Sequence, residues 1–151
     1  MKRNLIYILL SAFALSATLT LTSCKDDDPS ATETNLNRLS AHQWNLTKVT
    51  VDGVDKTSLF TGLALQWNRD NSFTVVNGGA MWPSAGTWSF TDGTAQTLFV
   101  SLSNSADAEV TIETLNDTNL VISLHWDETT LGEGRARSVE GDHIFEFEAA
   151  D

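Results

Sequence analysis

A single cysteine, Cys24, is present, so no internal disulfide can staple this chain and its stability has to come from a hydrophobic core. Basic residues are also scarce: nine Lys and Arg stand against twenty Asp and Glu, a formal charge of −11. That balance argues against a nucleic-acid partner, whose phosphates would be repelled, and against a domain lying flat on an anionic membrane. Histidine occurs only as His42, His125 and His143, and none falls in a nucleophile or metalloprotease motif. The acidic residues lack the regular spacing of a calcium loop. No internal repeat stands out, and after residue 21 no segment is apolar enough to anchor the chain in a bilayer. Composition therefore offers no catalytic group with a partner, no metal set and no cofactor motif.

The amino-terminal segment is more informative. Lys2 and Arg3 precede an apolar run over residues 5–21, softened by Ser11, Ser16, Thr18 and Thr20, which is the pattern of a secretory signal peptide. The competing reading is an uncleaved membrane anchor, because the run is nearly long enough to span. Leu21-Thr22-Ser23-Cys24 decides between them, since it resembles a bacterial lipobox. The resemblance implies a diacylglyceryl group on the Cys24 sulfur, cleavage after residue 23, and an acylated new amino terminus with palmitate-type chains. A thiolate suits that alkylation, and more than one chain is what stable anchoring requires. Loss of Lys2 and Arg3 leaves seven basic residues against twenty acidic, about −13. The expected partner is thus the membrane, reached through lipid at Cys24. Asp26, Asp27 and Asp28 read either as a solvated spacer or as an address. As an address they resemble the acidic cluster after the acylated cysteine in lipoproteins of Bacteroidota-type bacteria, where it marks export. The expected location is the outer membrane, surface-exposed rather than periplasmic.

Residues 29–35 are small and polar and predict a flexible tether, so the chain divides into a leader (1–23), an acylated tether (24–37) and one domain (38–151). Leu36 and Leu39, three apart, predict one short helical turn packing against the domain core. From Gln43 onward apolar residues recur with period two, as strands with one buried face require. Leu63, Leu65 and Trp67 form one such set; Phe73 and Val75, Trp88 and Phe90, and Leu98, Val100 and Leu102 form the next three. Val110 and Ile112, then Leu120, Ile122, Leu124 and Trp126, and finally His143, Phe145 and Phe147 complete the series. Turn signals separate them at Asp52-Gly53, Arg69-Asp70-Asn71, Gly78-Gly79, Asp92-Gly93, Asn104-Ser105 and Asn116-Asp117. With residues 44–51 this predicts about eight strands in sequential hairpins: an all-β, antiparallel up-and-down barrel, whose closure removes exposed edges. Trp44 and Leu46 are out of phase with Val49 and Val51, which predicts a bulge near Thr47.

Several short motifs, taken in order, resemble the lipocalin-like domains of bacterial lipoproteins. They are Trp44-Asn45-Leu46, Asp52-Gly53, Arg69-Asp70-Asn71-Ser72-Phe73, Gly86-Thr87-Trp88-Ser89-Phe90 and the closing run Gly141-Asp142-His143-Ile144-Phe145-Glu146-Phe147. The resemblance implies a lipocalin-like barrel from about Leu39 onward. His42 stands where better-known lipocalins place a glycine, and no helical segment follows the last strand.

Trp67, Trp88 and Trp126 fall on predicted inward faces, as structural core or as the wall of a calyx for a small ligand. Trp82 lies in a loop with no alternation of its own, beside Met81 and Pro83. It is expected either to fold back as a lid or to offer a rim contact to a ligand or partner protein. His125 and Asp127 share a strand face with Glu128 adjacent, yet two ligands do not make a zinc site. His143 reads as a satisfied core histidine. The leading expectation is a non-enzymatic, lipid-anchored module holding a small apolar or amphipathic ligand. The alternative is a structural or protein-interaction lipoprotein of the envelope with a packed barrel.

Overall fold

The structure, a computed structural model, describes residues 29–102, 107–132 and 135–150, with side chains undescribed over 130–138. The leader, Cys24, Asp26, Asp27 and Asp28 lie outside the described residues, as does the turn expected at Asn104-Ser105.

A helix, α1 (Ala31–Ala41), leads into the strands. It is longer than the single turn that Leu36 and Leu39 predict, and takes in most of the segment expected to be tether. Ser30 starts it, its hydroxyl accepting from the Glu33 backbone N–H at 3.1 Å. Ser30 and Glu33 have the spacing of a capping box, with Glu33 in the first turn and Arg38 in the last to suit the helix dipole. Leu39 is fully buried and Leu36 packs against the core, as their spacing predicts.

The strands are β1 (Gln43–Val51), β2 (Val54–Asp55), β3 (Ala64–Trp67), β4 (Ser72–Val76), β5 (Ala85–Phe90), β6 (Thr97–Ser101), β7 (Asp107–Leu115), β8 (Asn119–Trp126), β9 (Thr130–Gly132), β10 (Arg135–Ser138) and β11 (Gly141–Ala149). Eight of them, β1, β3 to β8 and β11, pair antiparallel with their neighbours in chain order. β1 then pairs with β11 from Trp44↔Ala149 to Val51↔His143, which closes the barrel. This is the up-and-down architecture expected, of the lipocalin-like kind. β2 is a short hairpin return from β1, and β9–β10 form a separate hairpin between β8 and β11. Between β2 and β3 a 3-10 turn, Thr57–Phe60, delivers Phe60 to the core.

Alternation decides which faces are buried. Along β8 Leu120, Ile122, Leu124 and Trp126 are buried; along β11 His143, Phe145 and Phe147 are. The β1–β11 register shifts between Leu46 and Lys48, the expected bulge, so Trp44, Val49 and Val51 all turn inward despite their spacing. Outside the barrel Phe99 and Ile144 stay exposed, as the phase of their strands requires. Each fully buried Leu, Val or Phe contributes roughly 1.5–3 kcal/mol of apolar transfer, which is how a domain without disulfides is stabilised.

The turns form as their chemistry dictates. Asp52 and Gly53 both have positive φ, 49° and 78°, the geometry of a two-residue hairpin between β1 and β2. Asp70, Asp92 and Asn116 each accept the backbone N–H two residues on, at 3.0, 2.9 and 2.9 Å, in three Asx-type turns at one end of the barrel.

Candidate functional site

The two barrel ends differ. At the end with the three Asx turns, α1 lies across and touches every one of them. Thr32 and Asn35 donate to the Gly93 and Ala95 carbonyls, at 3.4 and 2.9 Å. Arg69 donates to Asn37, and Arg38 pairs with Asp117 at 3.4 Å. Trp44 Nε1 donates to the Leu39 carbonyl at 2.9 Å, tying the helix to the first strand. This end is sealed by the helix.

At the opposite end three of the four connections are longer, and two send rings inward. Phe60 meets Phe145 edge-on at 5.2 Å and His143 at 6.2 Å. Residues 77–84 bring in Met81 and Trp82, which are 0% and 2% exposed. Trp82 therefore folds back into the barrel, the lid alternative, and is not a rim contact. Its ring stands edge-on to Phe145 at 5.8 Å and to Phe73 at 6.3 Å. The loop closes this far because Gly78 has no side chain: a Cβ there would press on the Trp82 carbonyl and lie 2.7 Å from Trp82 Cβ. From Phe73 the ring contacts continue to Trp67 at 5.7 Å, and from Trp67 to Trp88 at 5.6 Å. Trp67, Trp88 and Trp126 are all buried on the inward faces the sequence predicts.

Hydrogen bonding sorts these rings into two groups. Trp44 and Trp88 donate to backbone carbonyls, Trp88 Nε1 to Ser72 at 3.0 Å. Trp67 Nε1, Trp82 Nε1 and His143 Nε2 are buried with no hydrogen-bond partner among the described residues. His143 is thus only half satisfied, which corrects the reading of it as a satisfied core histidine. Its Nδ1 lies 3.0 Å from the Gly141 carbonyl, which can only accept, so Nδ1 carries the proton. Burial lowers the pKa of His143, against the opposing pull of Gly141 and of the Asp52 and Asp142 carboxylates. Burial thus favours the neutral ring, and with its proton on Nδ1 the Nε2 lone pair faces the interior.

His125 is the opposite case. On the outer face its Nδ1 contacts Asp142 at 2.6 Å and its Nε2 contacts Asp127 at 3.0 Å. The hydrogen bond to Asp142 and the charge of Asp127 raise its pKa. Both nitrogens are engaged by carboxylates, which favours the protonated ring and leaves neither lone pair free for a metal. Among the described residues no group of three or more His, Cys, Asp or Glu could hold a metal ion. The structure does join His125 to Asp127, as strand spacing implies, and adds Asp142. Asp142 faces His125 through the β8–β11 register, to which no local pattern in the sequence points. The inward course of Phe60 has no sequence signal either, since a 3-10 turn has no period-two signature.

No helix among the described residues is long and apolar enough to cross a membrane. No protein-family model matches the chain, and no curated protein matches it.

Proposed function

We propose that this protein is a lipid-anchored binding module of a bacterial envelope, held by acyl groups on Cys24, whose barrel takes a small apolar or amphipathic molecule. The observation that carries the binding reading is the set of interior polar atoms without partners: Trp67 Nε1, Trp82 Nε1 and His143 Nε2. Buried polar groups are nearly always hydrogen-bonded, and leaving one unpaired costs on the order of 1–3 kcal/mol. Three of them in a small core are explained if a guest completes them. An eight-stranded barrel is wide enough for one small ligand. With one end sealed by α1, the guest comes from the other, where Trp82 and the loop around it have to give way.

A second reading has its own support. Trp82, Met81 and Phe60 fill the open end with side chains, as a permanently packed barrel would, leaving the outer surface to act as a structural or protein-interaction module. Native mass spectrometry of the protein purified from its host separates the two. The binding reading expects a mass above that of the acylated chain which disappears on denaturation. The acylated chain alone, together with no ligand-induced shift in its unfolding, favours the packed barrel.

A further inference from the structure

Resting on the binding reading, the geometry points to a guest that is uncharged and that donates a hydroxyl or amide proton to His143 Nε2. His143 is the only buried polar or charged residue among those described, so the described part of the interior contains no countercharge for an ion. An ionised guest would lose its water and gain nothing in return, which is among the most costly events a core can undergo. The nearest carboxylates do not help a cation. Asp52 and Asp142 are exposed, and Asp142 is already held by His125. A carboxylate guest fails twice: it is charged, and it brings a second acceptor to a lone pair.

The atoms waiting inside are of both kinds. His143 Nε2 accepts, because Nδ1 holds the ring proton against the Gly141 carbonyl. Trp82 Nε1 and Trp67 Nε1 donate. A hydroxyl donates and accepts in one group, and a neutral amide does so in two, so both match what the wall offers. The rest of the guest is apolar and suits ring contact, because Phe145 and Phe60 flank His143 and Phe73 lies against Trp82. The ligand class is thus a neutral amphipathic molecule, an alcohol or phenol before an acid or amine.

The test titrates the full chain, at neutral pH, with four probes of one ring size: toluene, benzyl alcohol, benzoate and benzylammonium. Binding is followed by tryptophan fluorescence. Benzyl alcohol should bind saturably and about tenfold more tightly than toluene, the effect of one satisfied buried acceptor, with both ions weaker still. In His143→Phe, which keeps a ring against Phe145, benzyl alcohol should fall to the level of toluene. Should that variant not fold, the four-probe comparison on the unaltered chain still decides. Toluene matching benzyl alcohol, or either ion binding best, overturns the assignment to His143 while leaving the barrel a binding module. No saturable change with any probe removes the binding reading, and this inference with it.

Discussion

Trp82 sits between Phe73 and Phe145, edge-on to both, and so joins rings from β4 and β11 across the barrel interior. Truncating it leaves a cavity where those walls meet. Trp82→Ala is therefore expected to cost about 3–5 kcal/mol, comparable to Trp88→Ala, because large-to-small changes in a core lose both transfer energy and packing. Urea unfolding of the two variants side by side measures this; a loss below about 1 kcal/mol for Trp82→Ala would return it to the rim. Its loop position predicts the cheaper outcome, since nothing in Met81-Trp82-Pro83 alternates. What reverses the expectation is where the loop runs, and that is set by Gly78 and by the positive φ of Asn77 and Gly79, 54° and 67°. His143 shows the same limit. Its inward phase is legible, its single partner Gly141 is not.

Among the elements, the β4–β5 connection matters most, because it is the part that closes the open end of the barrel. Its close approach depends on one missing side chain. A methyl on Gly78 would lie 2.7 Å from Trp82 Cβ and 2.9 Å from Val75 Cγ1, so the loop has to move outward. Gly78→Ala is expected to cost roughly 1–3 kcal/mol, the usual range for overpacking, and to shift tryptophan emission to the red as Trp82 meets water. Gly93→Ala is the control, since a Cβ there meets nothing within 4 Å. Unchanged emission in Gly78→Ala would show that the loop does not hold Trp82 in place. The helix differs in kind. α1 begins at a Ser30–Glu33 capping spacing that is visible in the sequence, yet its composition reads as tether, because its apolar contacts with the core are Leu36 and Leu39 alone, the rest of its docking being polar. Its exposed positions follow the needs of solvent, and its helicity follows from docking on the three turns.

At the scale of the whole molecule, the acidic domain and its anchor are proposed to pull in opposite directions. On that proposal the cleaved chain, at about −13, would be repelled by anionic lipid and acyl groups at Cys24 would hold it. Cys24→Ala is expected to abolish membrane association and leave an uncleaved or soluble form. Fractionation by immunoblot checks this, and mature protein persisting in membranes would end the lipobox reading. The polarity of the barrel follows from the chain order of its connections. The Asx turns at Asp70, Asp92 and Asn116 fall at the helix end, and Phe60, Trp82 and His143 lie at the other, where entry of a guest is proposed.

Period two, turn chemistry and one phase slip near Thr47 were enough to set the barrel, its eight closing strands and its inward rings. Those features are local: a strand's buried face repeats every second residue, and an Asp-Gly pair prefers its turn whatever surrounds it. The register in which β1 meets β11, the choice of fold-back for Trp82, the contacts of α1 with the three turns and the meeting of His125 with Asp142 came only with the tertiary structure. Each joins residues far apart in the chain, with no periodic trace to announce them. The orphan nitrogens of Trp67, Trp82 and His143 belong to the same class, because a missing partner is a property of the space around an atom and not of the residue that bears it.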